Sequence, residues 1–220
     1  MRVHLQRDIE KLKRAILVLS AEVEDDVRAA VKAVEQRDAS LAGQVIQREQ
    51  GVNAQEIDVE EECLKILALH QPVAGDLRYV IGVLKINHDL ERIGDLAVHI
   101  AERGIDLSRL PAVSIPFRLG EMAEKTEALL KKALDAFVSV DAVSARQVCL
   151  ADREIDSIHH ETLARIEDAA VKDPGSFHIL LQLMHISRHL ERIGDHATNI
   201  AEDVVYMIEG KIVRHALEKG

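Results

Sequence analysis

The stretch "INHDLERIGDLAVHIAER" at residues 86–103 returns at residues 186–203 as "ISRHLERIGDHATNIAED". The two align without a gap and agree at eleven of eighteen positions. Ile86, Leu90, Ile93, Ala97 and Ile100 are each repeated one hundred residues on. Their steps of three and four define one apolar face of an α-helix. A duplicated helical face predicts two copies of one helical unit. In the second copy the seam is unbroken from Ile179 through Leu183, Ile186, Leu190, Ile193, Ala197, Ile200 and Val204 to Met207. Gly210 stands where such a helix would end.

Upstream, Leu5, Ile9, Leu12, Ile16, Leu19, Val23, Val27, Ala30 and Val34 predict a first helix ending near Arg37. A second, from about residue 39 to 70, carries Val45, Val52, Val59, Cys63 and Ile66. "HQPVAGDLR" then breaks the pattern with Pro72 and Gly75, and Asp76 is expected to cap the third helix. "RLPAVSIPFR", with Pro111 and Pro116, reads as a linker. The pattern restarts with Met122, Leu129, Ala133 and Phe137, and again over about 141–171 with Val148, Ile155, Ile158 and Ile166. "DPGS" at 173–176 offers Asp173 as a cap and Pro174 at the first helical position. No stretch alternates with period two. The expected fold is all-α: two tandem three-helix bundles, 1–110 and 118–220, joined by a linker at 111–117. Six long antiparallel helices would be related by a pseudo-twofold internal repeat.

Composition narrows the function. With 47% hydrophobic and 30% charged residues, the chain is neither disordered nor membrane-embedded. The net charge of −10 and the lack of Trp, beside three Phe and two Tyr, argue against nucleic-acid binding. Cys63 and Cys149 are far apart and form no CxxC, so both read as buried thiols in a reducing compartment. The opening "MRVHLQRDIEKLKR" lacks an apolar signal region, which places the expected location in the cytoplasm.

A packing stripe accounts for the repeated Ile, Leu and Ala. It does not account for Glu91, Gly94 and Asp95, or for Glu191, Gly194 and Asp195. At about 100° per residue, Glu91 and Asp95 fall within about 40° of each other and away from the seam. Like charges at i and i+4 repel, and a mid-helix glycine costs roughly 1 kcal/mol against alanine. A bound cation would relieve the first penalty, and close approach of a neighbour would explain the second. The preceding helix of each unit carries a matching pair: Glu49 and Asn53 in the first, Asp152 and Asp156 in the second. Each bundle can therefore bring two oxygen-bearing pairs together, suited to iron, manganese, magnesium or zinc. The plain alternative is that Glu91 and Asp95 are solvated surface charges, with Arg92 and Arg192 salt-bridging to a neighbour. A ferritin-like di-iron centre is disfavoured, because no His has a Glu three residues before it and Asp156–His159 is the nearest approach.

His185, His189 and His196 share one stripe of the last helix, where the first copy has Lys85, Asp89 and Leu96. They are secondary candidates for a transition metal, together with Asn199, although an interface or surface role is the better expectation. No Walker loop, GxGxxG, GxSxG or nucleophile triad is present, so no catalytic residue is assigned and the protein is not expected to be an enzyme.

The two "LERIGD" segments, "HQPVAGDLR" at 70–78, "VN" at 52–53 and "LERIGDHATNIAEDVVYMIEGKIVRH" at 190–215 resemble the PhoU family of phosphate-signalling regulators. The likeness covers essentially the whole chain. It implies two three-helix bundles and metal clusters, of iron or zinc in some members, held by E(D)xxxD pairs. Here those pairs are Glu49/Asn53 with Glu91/Asp95, and Asp152/Asp156 with Glu191/Asp195. Asn53 departs from the pattern and predicts a weaker first site, because an amide oxygen carries no charge. The resemblance further implies a negative regulator that links the ATPase of a phosphate ABC transporter to a sensor histidine kinase. A homodimer that meets the membrane only through its partners is also implied. The rival expectations are a metal-dependent phosphohydrolase and a purely structural helical protein.

Overall fold

The computed structural model describes residues 2–112, 115 and 117–213. They form α1 (Arg2–Gln36), α2 (Ala39–His70), α3 (Ala74–Ser108), α4 (Leu119–Ser139), α5 (Ala142–Lys172) and α6 (Phe177–Glu209), with a 3₁₀ turn at Pro174–Ser176. The all-α expectation of two three-helix units is borne out. Val113, Ser114 and Pro116 of the expected linker, and 214–220 of the second unit, lie outside the described residues.

The boundaries follow from local chemistry, which the duplication copied. Asp38 caps α2 by accepting from the backbone N–H groups of Ser40 and Leu41 at 2.9 and 3.0 Å. Asp141 does the same for α5 with Val143 and Ser144. Each satisfies donors that the first helical turn leaves free. Asp76 does not cap α3: the cap residue is Val73, which makes no side-chain cap bond, and Asp76 lies inside the first turn. There its charge still opposes the positive end of the helix dipole. Asp173 caps the 3₁₀ turn rather than α6, accepting from the Gly175 N–H. α6 ends at Gly210, whose φ of 69° is the left-handed conformation that glycine adopts without penalty.

α3 and α6 are the centre of the molecule. α1 and α2 pack on α3, α4 and α5 pack on α6, and α1 also touches α4. The buried residues form one continuous core, with Leu12, Ile16, Ile66, Ile86, Leu90, Ile93, Leu130 and Ile155 fully enclosed. The central helices run antiparallel: Lys85 meets Asp203, Asp89 meets Asn199, and His99 meets His189. These contacts step in opposite directions along the two helices and are centred on Gly94 and Gly194. The crossing is therefore a pseudo-twofold interface between equivalent surfaces.

Both cysteines are free thiols. Cys63 is fully enclosed and burial pushes its pKa up to about 12, whereas Cys149 is only half-buried, contrary to expectation. Among the described residues no helix is long and apolar enough to cross a membrane.

Candidate metal centre

In the second unit the sequence-predicted acids converge where α5 packs on α6. Ligand oxygens of Asp152, Asp156 and Asp195 all lie within 4.8 Å of one another. A cation with bonds of about 2.1 Å sets opposite ligands about 4.2 Å apart, so a small rotamer adjustment closes the set. Among the described residues this is the one group of three or more His, Cys, Asp or Glu ligands so close.

Gly194 makes the convergence possible. A Cβ at this position would stand 2.7 Å from Asp152 Oδ1, closer than carbon and oxygen can approach. The same oxygen is buried and accepts no hydrogen bond, a costly state for a carboxylate. Glu191 lies beside the triad, one helical turn before Asp195. Its Oε1 accepts from Arg188 Nη1 at 3.2 Å, while its Oε2 is buried without a partner. Arg188 was not singled out from the sequence, although its position three residues before Glu191 was the available signal.

Electrostatics record the crowding. Burial first, then Asp156 and Asp195, push the Asp152 carboxyl up to about 7. Burial, then Glu191 and Asp156, push Asp195 up to about 6. Burial also raises Glu191, against the opposing pull of Arg188. Carboxylates packed this tightly hold protons unless a cation takes their place.

The first unit keeps the outline but not the convergence. Gly94 faces Val52, whose Cγ1 would lie 3.4 Å from an added Cβ, much as Ile155 faces Gly194 at the same distance. No atom of Glu49 reaches Gly94 as Asp152 reaches Gly194. Arg92 instead lies 3.3 Å from Glu91 and 3.8 Å from Asp95, neutralising that pair within its own helix. Asn53 adds no charge. Glu49, Asn53, Glu91 and Asp95 thus occupy equivalent positions without gathering into a site of comparable charge density.

The secondary candidates lie elsewhere. His196 Nδ1 is 2.8 Å from Asp89 Oδ1, and the Asn199 amide donates to the same oxygen at 3.3 Å. His189 stacks between His99 and His185, with ring centroids 5.4 and 6.5 Å away. His189, His196 and Asn199 meet α3 at the crossing, in keeping with the interface expectation, and His185 stacks on His189 within α6. His159 is buried with Nδ1 2.8 Å from Ser187 Oγ, so it does not extend Asp156 into a ferritin-like ligand pair.

Two outcomes follow for the metal-free protein. Its folded state holds protons on Asp152 and Asp195 that the unfolded chain releases near the ordinary aspartate value. Where the native state binds more protons, stability falls as pH rises. Thermal unfolding of chelator-treated protein should therefore show a Tm that declines from pH 5 to pH 8. A saturating cation should flatten that decline, and Asp152→Asn should remove much of it. The glycines should also respond differently. Gly94→Ala, in ordinary contact with Val52, should raise stability by up to about 1 kcal/mol in chemical denaturation. Gly194→Ala should forfeit that gain and weaken cation binding by displacing the Asp152 carboxylate.

Comparison with known proteins accords with this architecture. The family model described as "PhoU domain" matches residues 16–104 and 119–204, once on each unit. A phosphate-specific transport system accessory protein PhoU homolog of Pseudomonas putida is 37% identical over 211 residues, covering 94% of this chain and 82% of its own. The homolog of that name from Deinococcus radiodurans is 34% identical over 210 residues, covering 96% and 99%. The crystal structure of PhoU from Pseudomonas aeruginosa superposes with a TM-score of 0.89 at 35% identity, covering 94% of this chain and 99% of that one. The phosphate transport system regulatory protein PhoU from Streptococcus pneumoniae gives a TM-score of 0.85 at 28% identity, covering 95% and 99%. Two matched domains, whole-chain identity and coincident folds together place this chain in the PhoU family.

Proposed function

We infer that the protein is a negative regulator of phosphate-starvation signalling and phosphate uptake. It acts without catalysis, as a cytoplasmic adaptor between the ATPase subunit of a phosphate ABC transporter and a sensor histidine kinase. The observation that carries this reading is similarity along the whole chain to accessory proteins of phosphate-specific transport. Long amphipathic helices with Leu69, Val143 and Val171 exposed, and Val73 exposed at the start of α3, offer surface for protein partners, including a second copy of the chain.

The carboxylate cluster has a structural place in this reading. Asp152, Asp156 and Asp195 would hold a cation, with Glu191 completing the set. The cation would neutralise their mutual repulsion and tie α5 to α6. An all-oxygen donor set suits iron, manganese or magnesium better than zinc, which favours imidazole and thiolate. The absence of charge at Asn53 and the Arg92 ion pairs make Glu49, Asn53, Glu91 and Asp95 a weaker second site.

A chromosomal deletion tests the regulatory role. Cells lacking the protein should express a phosphate-starvation reporter in high phosphate, and the wild-type gene should silence it. Affinity capture of the tagged protein from high-phosphate cells should recover the transporter ATPase and the kinase. A reporter that stays silent in the deletion strain, with neither partner captured, would contradict the proposal. Phosphoester turnover by metal-loaded protein, lost in Asp195→Ala, would replace the adaptor with a hydrolase.

A further inference from the structure

A second polar constellation occupies the α3–α6 crossing, apart from the carboxylate cluster. Pseudo-twofold symmetry divides the crossing into two halves whose residues correspond one hundred positions apart. In one half the charges are matched. Lys85 Nζ donates to Asp203 Oδ1 at 2.8 Å, and Asp89 lies within hydrogen-bond reach of both His196 and Asn199. The corresponding residues of the other half are His185 for Lys85, Arg103 for Asp203, His189 for Asp89 and His99 for Asn199. Both carboxylates have become bases.

The substitution leaves hydrogen-bonding groups unmatched. Arg103 Nη1 donates to Gln182 Oε1 at 3.2 Å and lies 3.5 Å from Asp106 Oδ2, but its Nε is buried with no acceptor. His189 Nδ1 is also buried with no partner. Buried polar atoms in folded proteins are overwhelmingly paired, so two unpaired nitrogens in one cluster need an explanation. His99, stacked on His189, is exposed, and His185 also stacks on His189. Burial first, then His99, His185, Arg192 and Arg103, push the His189 imidazole down to about 4. Burial is the larger cause, and the neighbouring basic groups add to it in a protein of net charge −10.

We propose that His99, Arg103, His185 and His189 bind a free tetrahedral oxyanion of the phosphate class, which accepts the hydrogen bonds that Arg103 Nε and His189 Nδ1 lack. A guanidinium flanked by imidazoles supplies directional donors to such an anion and gains in strength as the site is desolvated. The site requires neither the metal centre nor the adaptor role, since it arises from His99 and Arg103 of α3 and from His185 and His189 of α6, away from the α5–α6 carboxylates.

Calorimetric titration of the full-length, chelator-treated protein with inorganic phosphate tests the proposal. Sulfate at matched ionic strength is the second tetrahedral probe and chloride the control. One phosphate per chain is expected, with the His99 and His189 imidazole NMR resonances shifting and that of His160 unmoved. Arg103→Gln and His189→Gln should each weaken binding roughly tenfold or more, while Asp152→Asn leaves it unchanged. His99→Gln, at an exposed position, keeps the test intact if a buried variant fails to fold. The proposal is overturned by absence of binding at millimolar phosphate, by affinity that all three variants leave intact, or by loss of binding in Asp152→Asn. Zinc, rather than phosphate, shifting the imidazole resonances would identify a histidine metal site instead.

Discussion

Antiparallel packing of α3 against α6 is the contact on which the other helices depend. Each of these helices has to serve two interfaces: one with the helices of its own unit and one with its counterpart. The repeated Ile, Leu and Ala seam serves the first, and Leu90, Ile93, Leu190 and Ile193 are fully enclosed by it. The crossing serves the second, and beside the close contact of Gly82 with Met207 it carries polar contacts among Lys85, Asp89, His99, His189, His196 and Asp203. An apolar seam supplies most of the burial energy, while the polar contacts of the crossing fix register, because a shift by one turn would separate Lys85 from Asp203.

Duplication gave the two units one scaffold, and a few substitutions then separated their chemistry. On the outer stripe, Asp152 stands where the first unit has Glu49. The shorter side chain settles its carboxylate against Gly194, whereas Glu49 does not approach Gly94. Asp156 in place of Asn53 adds a full charge. On the crossing stripe the substitutions run the other way, with His189 and Arg103 where the counterparts are acids. The result is a molecule with concentrated negative charge between α5 and α6, and with buried nitrogens of Arg103 and His189 lacking acceptors at one end of the α3–α6 crossing. The half-buried Asp152 carboxyl, pushed up to about 7, marks how far the first of these departs from a fully solvated surface.

Much of this was legible in the chain itself. Period and punctuation located the six helices, because apolar spacing and cap chemistry are local properties. The i, i+4 acids and their glycines were legible because they contradict ordinary helix preferences twice at the same offset. The inequality of the two units was only partly legible. Asn53 announced a lost charge, but the role of Arg92 in quenching Glu91 and Asp95 depends on rotamers that no spacing rule supplies. The histidines of α6 carried no signal of their partners, since Asp89 and His99 approach them only through the tertiary crossing. Asp76 misled for a simpler reason: an acid near a helix start can serve the dipole from within the first turn without capping it.

The central claim is that one unit, the second, presents a carboxylate centre built to be neutralised by a cation. Anomalous diffraction at the metal absorption edge, from crystals of protein loaded with iron or manganese, addresses it most directly. The account predicts the dominant peak between α5 and α6, bounded by Asp152, Asp156 and Asp195, with little or no density beside Glu91 and Asp95. A dominant peak in the first unit, or none between α5 and α6 at saturating metal, would contradict it.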